Sequence, residues 1–147
     1  MRHIGILCVC FACTFPGWMN GQDSKPDFSG NWQLNSGKSE LHSGQAATAK
    51  LVIQQKGSSI HVIRTLKSAD GKETLTEFNC TTDGKDCDAK GTKISLWYDG
   101  RDLVEMEVGE RVTKMHMTRA PDGKSIECDL SFISPQSEGD KLVLEKL

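Results

Sequence analysis

From Thr48 to the C-terminus, apolar and polar residues alternate in short runs, and each run ends at a turn-forming pair. The breaks fall at Lys56-Gly57, Asp70-Gly71, Asp83-Gly84, Lys90-Gly91, Asp99-Gly100, Gly109-Glu110, Asp122-Gly123 and Gly139-Asp140. The Asp-Gly pairs are the strongest signals, because both residues tolerate the positive φ that tight hairpins need. The runs between them predict strands over residues 51–55, 60–67, 73–82, 86–90, 93–98, 103–108, 112–118, 125–133 and 141–147. A further strand opens at Gly30-Asn31-Trp32, whose indole requires a large apolar site. Residues 36–47 hold Leu41 as their one large apolar side chain and predict at most one short helical turn crossing an end of the fold. No run carries the helical period. About ten antiparallel strands in sequence curl, and closure removes their exposed edges, so the pattern predicts an up-and-down β-barrel of about 8–10 strands.

Alternation assigns the two faces. A two-residue loop at Gly109-Glu110 sets Val104 opposite Met115 and Met106 opposite Thr113, with Glu105 and Lys114 as an outer pair. Val104, Met106, Val108, Met115 and Met117 then line the interior, and Ile126, Cys128, Leu130 and Phe132 line it from a later strand. Glu105 and Glu107 read as a solvated face. One hairpin conflicts with this parity: a two-residue loop at Asp99-Gly100 sends Ile94, Leu96 and Tyr98 outward. A three-residue loop with Gly100 as a left-handed bulge residue restores them to the interior.

Composition changes the picture in few places. The 147 residues carry a formal net charge of -2 and are 37% hydrophobic, which fits one soluble domain and gives no electrostatic case for nucleic acid. At the start, Met1-Arg2-His3, an apolar run to Phe15 and the break at Pro16-Gly17 have the layout of a secretory leader, with cleavage expected after Gly21. The expected division is thus a leader over 1–21 and one barrel domain over 22–147, secreted or periplasmic, with no transmembrane segment in the mature chain. An acylated Cys13 is the lesser alternative. Cleavage leaves Cys80, Cys87 and Cys128. The first two lie symmetrically about Asp83-Gly84, which predicts a disulfide across a hairpin; Cys128 reads as a buried thiol. His42, His61 and His116 lack metal-ligand spacing, and no nucleophile elbow, zinc-protease or phosphate-loop motif occurs. No catalytic residue, metal or cofactor is predicted.

With the Gly30-x-Trp32 opening and the meander in view, the chain resembles the calycin superfamily of lipocalins and fatty-acid-binding proteins. More narrowly, Asp27 to Ser39, Thr82 to Lys85, Trp97 to Gly100, Pro121 to Lys124 and Leu144 to Lys146 resemble short exported bacterial lipocalin-like proteins without an assigned activity. The resemblance implies a barrel closed by Trp32 at one end, with Arg119 as the cation packing over that indole. It departs from fatty-acid-binding proteins in two ways. Residues 36–47 are too short for their two helices, and Leu142-Val143-Leu144-Glu145-Lys146 lacks their carboxylate-binding arginine and tyrosine.

The expected activity is capture of a small hydrophobic ligand inside the barrel, lined by Trp32, Trp97, Val104, Met106, Met115, Met117, Leu130 and Phe132. The alternative is a protein-interaction or envelope-structural barrel with a filled core. The sequence leaves the oligomeric state open.

Overall fold

The computed structural model describes residues 24–147. The leader expected over residues 1–21, with Cys13, lies outside that range. Ten strands follow one another: β1 (Gly30–Leu34), β2 (Thr48–Lys56), β3 (Ser59–Lys67), β4 (Glu73–Thr81), β5 (Asp83–Ala89), β6 (Thr92–Asp99), β7 (Asp102–Val108), β8 (Val112–Arg119), β9 (Ser125–Ser134) and β10 (Ser137–Lys146). A single 3-10 turn, Ser36–Lys38, stands between β1 and β2, capped by the Asn35 side chain accepting from the Lys38 N–H.

The strands form one antiparallel sheet in the order β4-β3-β2-β1-β10-β9-β8-β7-β6-β5. Every neighbour in it is a neighbour in sequence except β1 and β10, which pair through Trp32–Lys146, Gln33–Glu145 and Leu34–Leu144. That pairing rolls the meander into a nearly closed barrel. The two edges left over, β4 and β5, are consecutive in sequence and carry no ladder between them. Cys80 on β4 and Cys87 on β5 are disulfide-bonded with Cα atoms 5.5 Å apart. The bond therefore joins the lips of the seam and not the rungs of a hairpin.

Two turns correct the parity read from sequence. At Gly109 the loop has three residues, since Val108 pairs with Val112 and the Gly109 N–H donates to the Arg111 carbonyl. At Gly100 it has two, Gly100 and Arg101, between the paired Asp99 and Asp102. The extra residue lies in the second loop, not the first. Leu103, Glu105 and Glu107 consequently share the interior with Ile94, Leu96, Tyr98, Met115 and Met117. Val104 and Met106 face outward with Trp97, Lys114 and His116. Gly139-Asp140, expected as a turn, is instead a bulge inside β10, and the reversal falls at Pro135-Gln136.

The core lies inside the barrel. Phe28, Trp32, Ile60, Ile94, Leu96, Leu103, Ile126 and Leu144 are fully buried there.

Candidate functional site

One end of the barrel is sealed by the segment leading into β1. Trp32 has 0% exposure and donates its indole N–H to the Phe28 carbonyl at 3.0 Å. The Phe28 N–H donates to Gln55 Oε1 at 3.0 Å, and Gln55 Nε2 donates to the Tyr98 hydroxyl at 2.9 Å. That hydroxyl donates in turn to the Pro26 carbonyl at 2.7 Å. The indole N–H, the Phe28 N–H, the Gln55 amide and the Tyr98 hydroxyl thus each have a partner. Burial pushes the Tyr98 phenol above its ordinary range. The cation over the indole is Lys146, whose Nζ stands 5.6 Å from the ring centroid. Arg119, expected in that role, lies against Gly123, where an added Cβ would come within 2.5 Å of Arg119 Nη2. Trp32 is therefore a plug with no surface free to touch a ligand.

Toward the other end, inward-facing side chains become more exposed along four strands, while Ala49 on β2 and Asp140 on β10 stay buried. Along β3 the series Ile60, Val62, Arg64, Leu66 runs from fully buried to partly exposed. The same rise occurs along β7 from Leu103 through Glu105 to Glu107, and along β8 from Met117 through Met115 to Thr113. On β9 it runs from Ile126 and Cys128 to Leu130. Phe132, beyond Leu130, is buried again because Arg111 lies 5.9 Å over its ring. Leu41, Leu66, Leu130 and Leu142 are partly buried against the core.

On the inner face of β3 and β7 sits an ion cluster that the alternation read along β7 does not reveal. Arg64 Nη1 donates to Glu105 Oε1 and Nη2 to Glu107 Oε2, both at 2.7 Å. The exposures of the three side chains, 12% for Arg64, 6% for Glu105 and 32% for Glu107, place the cluster where the packed core gives way to solvent. Two carboxylates close to the guanidinium raise its affinity for the proton, outweighing the burial that lowers it. Burial, and then the charge of Glu105, push the Cys128 thiol upward, so this cysteine is a protected core residue and not a nucleophile. The available signal was parity. Ile60, Val62, Arg64 and Leu66 alternate as an inward series in which arginine interrupts an apolar row.

The mouth is partly covered by the chain between β1 and β2. Asp140 is buried and accepts from the N–H groups of His42 and Ser43 at 2.6 and 2.8 Å, and from the Ser43 hydroxyl. An isolated bridge between Glu40 and Lys141 adds to the attachment. This fits the crossing expected for residues 36–47.

Of the predicted lining residues, Met115, Met117, Leu130 and Phe132 share the inward face, and Met115 and Leu130 lie nearest the cluster. Trp97, Val104 and Met106 do not line the interior, because the three-residue Gly109 loop turns their face outward. Val104 is nevertheless fully buried on that outer face, in register with Trp97 and His116. Lys114 lies 5.9 Å over the Trp97 ring there. A separate open groove of about 890 Å³ runs along the outer surface of β9 and β10, lined by Lys38, Glu127, Val143, Glu145 and Lys146 among others. Among the described residues no group of three or more His, Cys, Asp or Glu side chains could hold a metal. No described helix is long and apolar enough to cross a membrane.

A ten-stranded antiparallel barrel, plugged at one end by the first strand's tryptophan and, among the described residues, almost free of helix, has a lipocalin-like fold. Among solved structures it is similar to a secretary abundant heat soluble (SAHS) protein from Ramazzottius varieornatus. The TM-score is 0.56 and the identity 14%, over 82% of this chain and 95% of that one. At that identity the likeness concerns the fold. No protein-family model and no curated protein matches the sequence.

Proposed function

We propose that this protein is an exported, non-catalytic barrel that holds a small hydrophobic molecule in its interior, at the end away from Trp32. The observation that carries the reading is the rise in exposure of inward-facing residues from Ile60 to Leu66 and from Ile126 to Leu130. An apolar recess with a few fixed polar groups at its base is the usual form of a small-molecule site. Export is supported by the leader pattern over residues 1–21 and by the Cys80–Cys87 bond, which belongs to oxidising compartments. The solved neighbour is named a secretary abundant heat soluble protein, which agrees with export. The narrower resemblance to short exported bacterial lipocalin-like proteins points the same way.

A second reading, a structural or protein-binding barrel without a ligand, is favoured by the solid packing around Trp32 and by the burial of Ala49, Asp140 and Phe132 toward the other end. Native mass spectrometry separates the two. The full chain, exported by its host and purified without detergent or organic solvent, is expected to retain or take up a hydrophobic adduct of one molecule per chain. A bare mass that stays bare against octanol, octylammonium and octanoate would favour the filled-core reading.

A further inference from the structure

We infer that the seam between β4 and β5 is a lateral gate into the barrel, latched by the Cys80–Cys87 bond and released when an external dithiol reduces it. As a route for a ligand the gate rests on the proposed function; as a movement of the fold it stands apart from it. The two strands are the ends of the sheet order and carry no ladder between them, whereas every other junction around the barrel is a run of paired residues.

Of the two, β5 has little hold on the core. Asp83 to Asp86 are all exposed, Cys87 is half-buried, and only Ala89 is buried. Its one partner is β6, and their register shifts between Asp83 and Asp86. A strand with few buried apolar contacts and one paired edge belongs to the part of a structure that opens locally before the rest unfolds. Beyond the turn at Thr82, where the Thr81 hydroxyl donates to Asp83, the tie across the seam is the disulfide.

What the seam covers is interior. Cys80 is buried, and its Sγ lies 3.6 Å from the carbonyl oxygen of Ile94, a fully buried residue of β6. Phe78 on β4 is also buried, with Arg64 6.0 Å over its ring. Lifting β5 from β4 therefore uncovers Phe78, Cys80 and Ile94 and leads to the Arg64 cluster from the side. The ends of the barrel are better guarded. Trp32 seals one. At the other, residues 40–43 are fastened by the Glu40–Lys141 bridge and by the buried Asp140.

Release is a thiol–disulfide exchange. One sulfur of the dithiol attacks Cys87 Sγ, the less buried of the pair, and Cys80 leaves as a thiolate. The second sulfur of the dithiol then attacks the first and Cys87 leaves. The dithiol ends as a disulfide, and its two electrons and two protons pass to Cys80 and Cys87.

The test compares two thiols within one molecule. In a Cys87→Ser variant of the full-length exported protein, Cys80 at 3% exposure and Cys128 at 2% are matched in burial, but Cys80 stands at the seam and Cys128 on β9. Both are labelled with N-ethylmaleimide and followed by peptide mass. Cys80 is expected to react about tenfold faster than Cys128 or more, at a rate flat in urea below the unfolding transition, because local opening exposes little surface. Wild-type protein reduced with dithiothreitol, then freed of it, should show the same ratio. Equal and slow labelling would overturn the inference, since packing alone would then hold the seam. Equal and fast labelling would overturn it as well, since loss of the bond would then unfold the whole barrel. Octanol entering the oxidised and reduced proteins at one rate would remove the seam as the ligand's route. A seam that opens while octanol, octylammonium and octanoate all fail to bind would keep the gate and sink the ligand reading.

Discussion

A charged triad inside an otherwise apolar barrel must justify its desolvation. Arg64 and Glu105 are largely out of water, and each makes the other tolerable through a direct charge-assisted bond. Removing one partner leaves the second ion buried and uncompensated, a change that typically costs 3–5 kcal/mol. Arg64→Ala should therefore lower stability by roughly 3–5 kcal/mol in urea unfolding. A loss below about 1 kcal/mol would mean that Glu105 is hydrated, as an exposed ion pair would be. Glu107 is different, because a third of it faces solvent, and its replacement by Gln should cost little. The triad was hard to see in sequence for a simple reason. Glu105 and Glu107 on a strand beside Lys114 look like an ordinary solvated face, and only the loop at Gly109 turns them inward. Trp32 was legible because an indole on a first strand has few other places to go.

At the level of strands and turns, the sequence reading was strongest where Gly and Asp mark a reversal. The strands called from those marks lie close to the ten observed, with ends differing mainly at Thr48, Asp83 and Ser137. It failed where loop length, and not loop position, set the outcome. A one-residue difference exchanges the faces of a strand, so placing the third loop residue at Gly100 and not at Gly109 reversed Val104 and Met106. Gly139 misled differently. It marks a bulge, not a turn: a Cβ there would sit 2.4 Å from the Leu130 carbonyl oxygen, so the backbones approach where only glycine fits. Gly139→Ala should cost about 1–3 kcal/mol by forcing the bulge apart, read as a lower unfolding midpoint. Unchanged stability would show that β10 has room to shift.

The turn into β5 adds a pH dependence. The Thr81 hydroxyl, then the Lys85 backbone N–H, bind the Asp83 carboxylate and lower its pKa from 3.8 to about 2. A depressed pKa means that the folded form favours the charged state, so the contribution is whole above pH 3.8 and is lost as pH falls toward 2. Carbon-detected titration of the Asp83 side chain should place its midpoint near 2. A midpoint at 3.8 or above would remove this turn from the acid response.

For the molecule as a whole, closure is asymmetric. Backbone pairing of β1 with β10 closes one side, and a covalent bond closes the seam between β4 and β5. Cys80 and Cys87 are seven residues apart, so the loop they close is short and its entropic contribution is about 2 kcal/mol. The double substitution Cys80→Ser with Cys87→Ser should lower stability by about that amount and speed amide exchange along β4 and β5 before the rest of the sheet. Uniform exchange across all ten strands would show that the seam is held by packing alone. The asymmetry extends along the barrel axis, from a sealed Trp32 end to the more exposed inward residues beyond Arg64.

That axial division is tested most directly by mapping amide shifts during titration of the isotopically labelled protein with octanol. The account predicts perturbations at Arg64, Leu66, Glu107, Thr113 and Leu130, with Phe28 and Trp32 unmoved. Perturbations confined to the outer groove at Val143 and Glu145, or centred on Trp32, would contradict it.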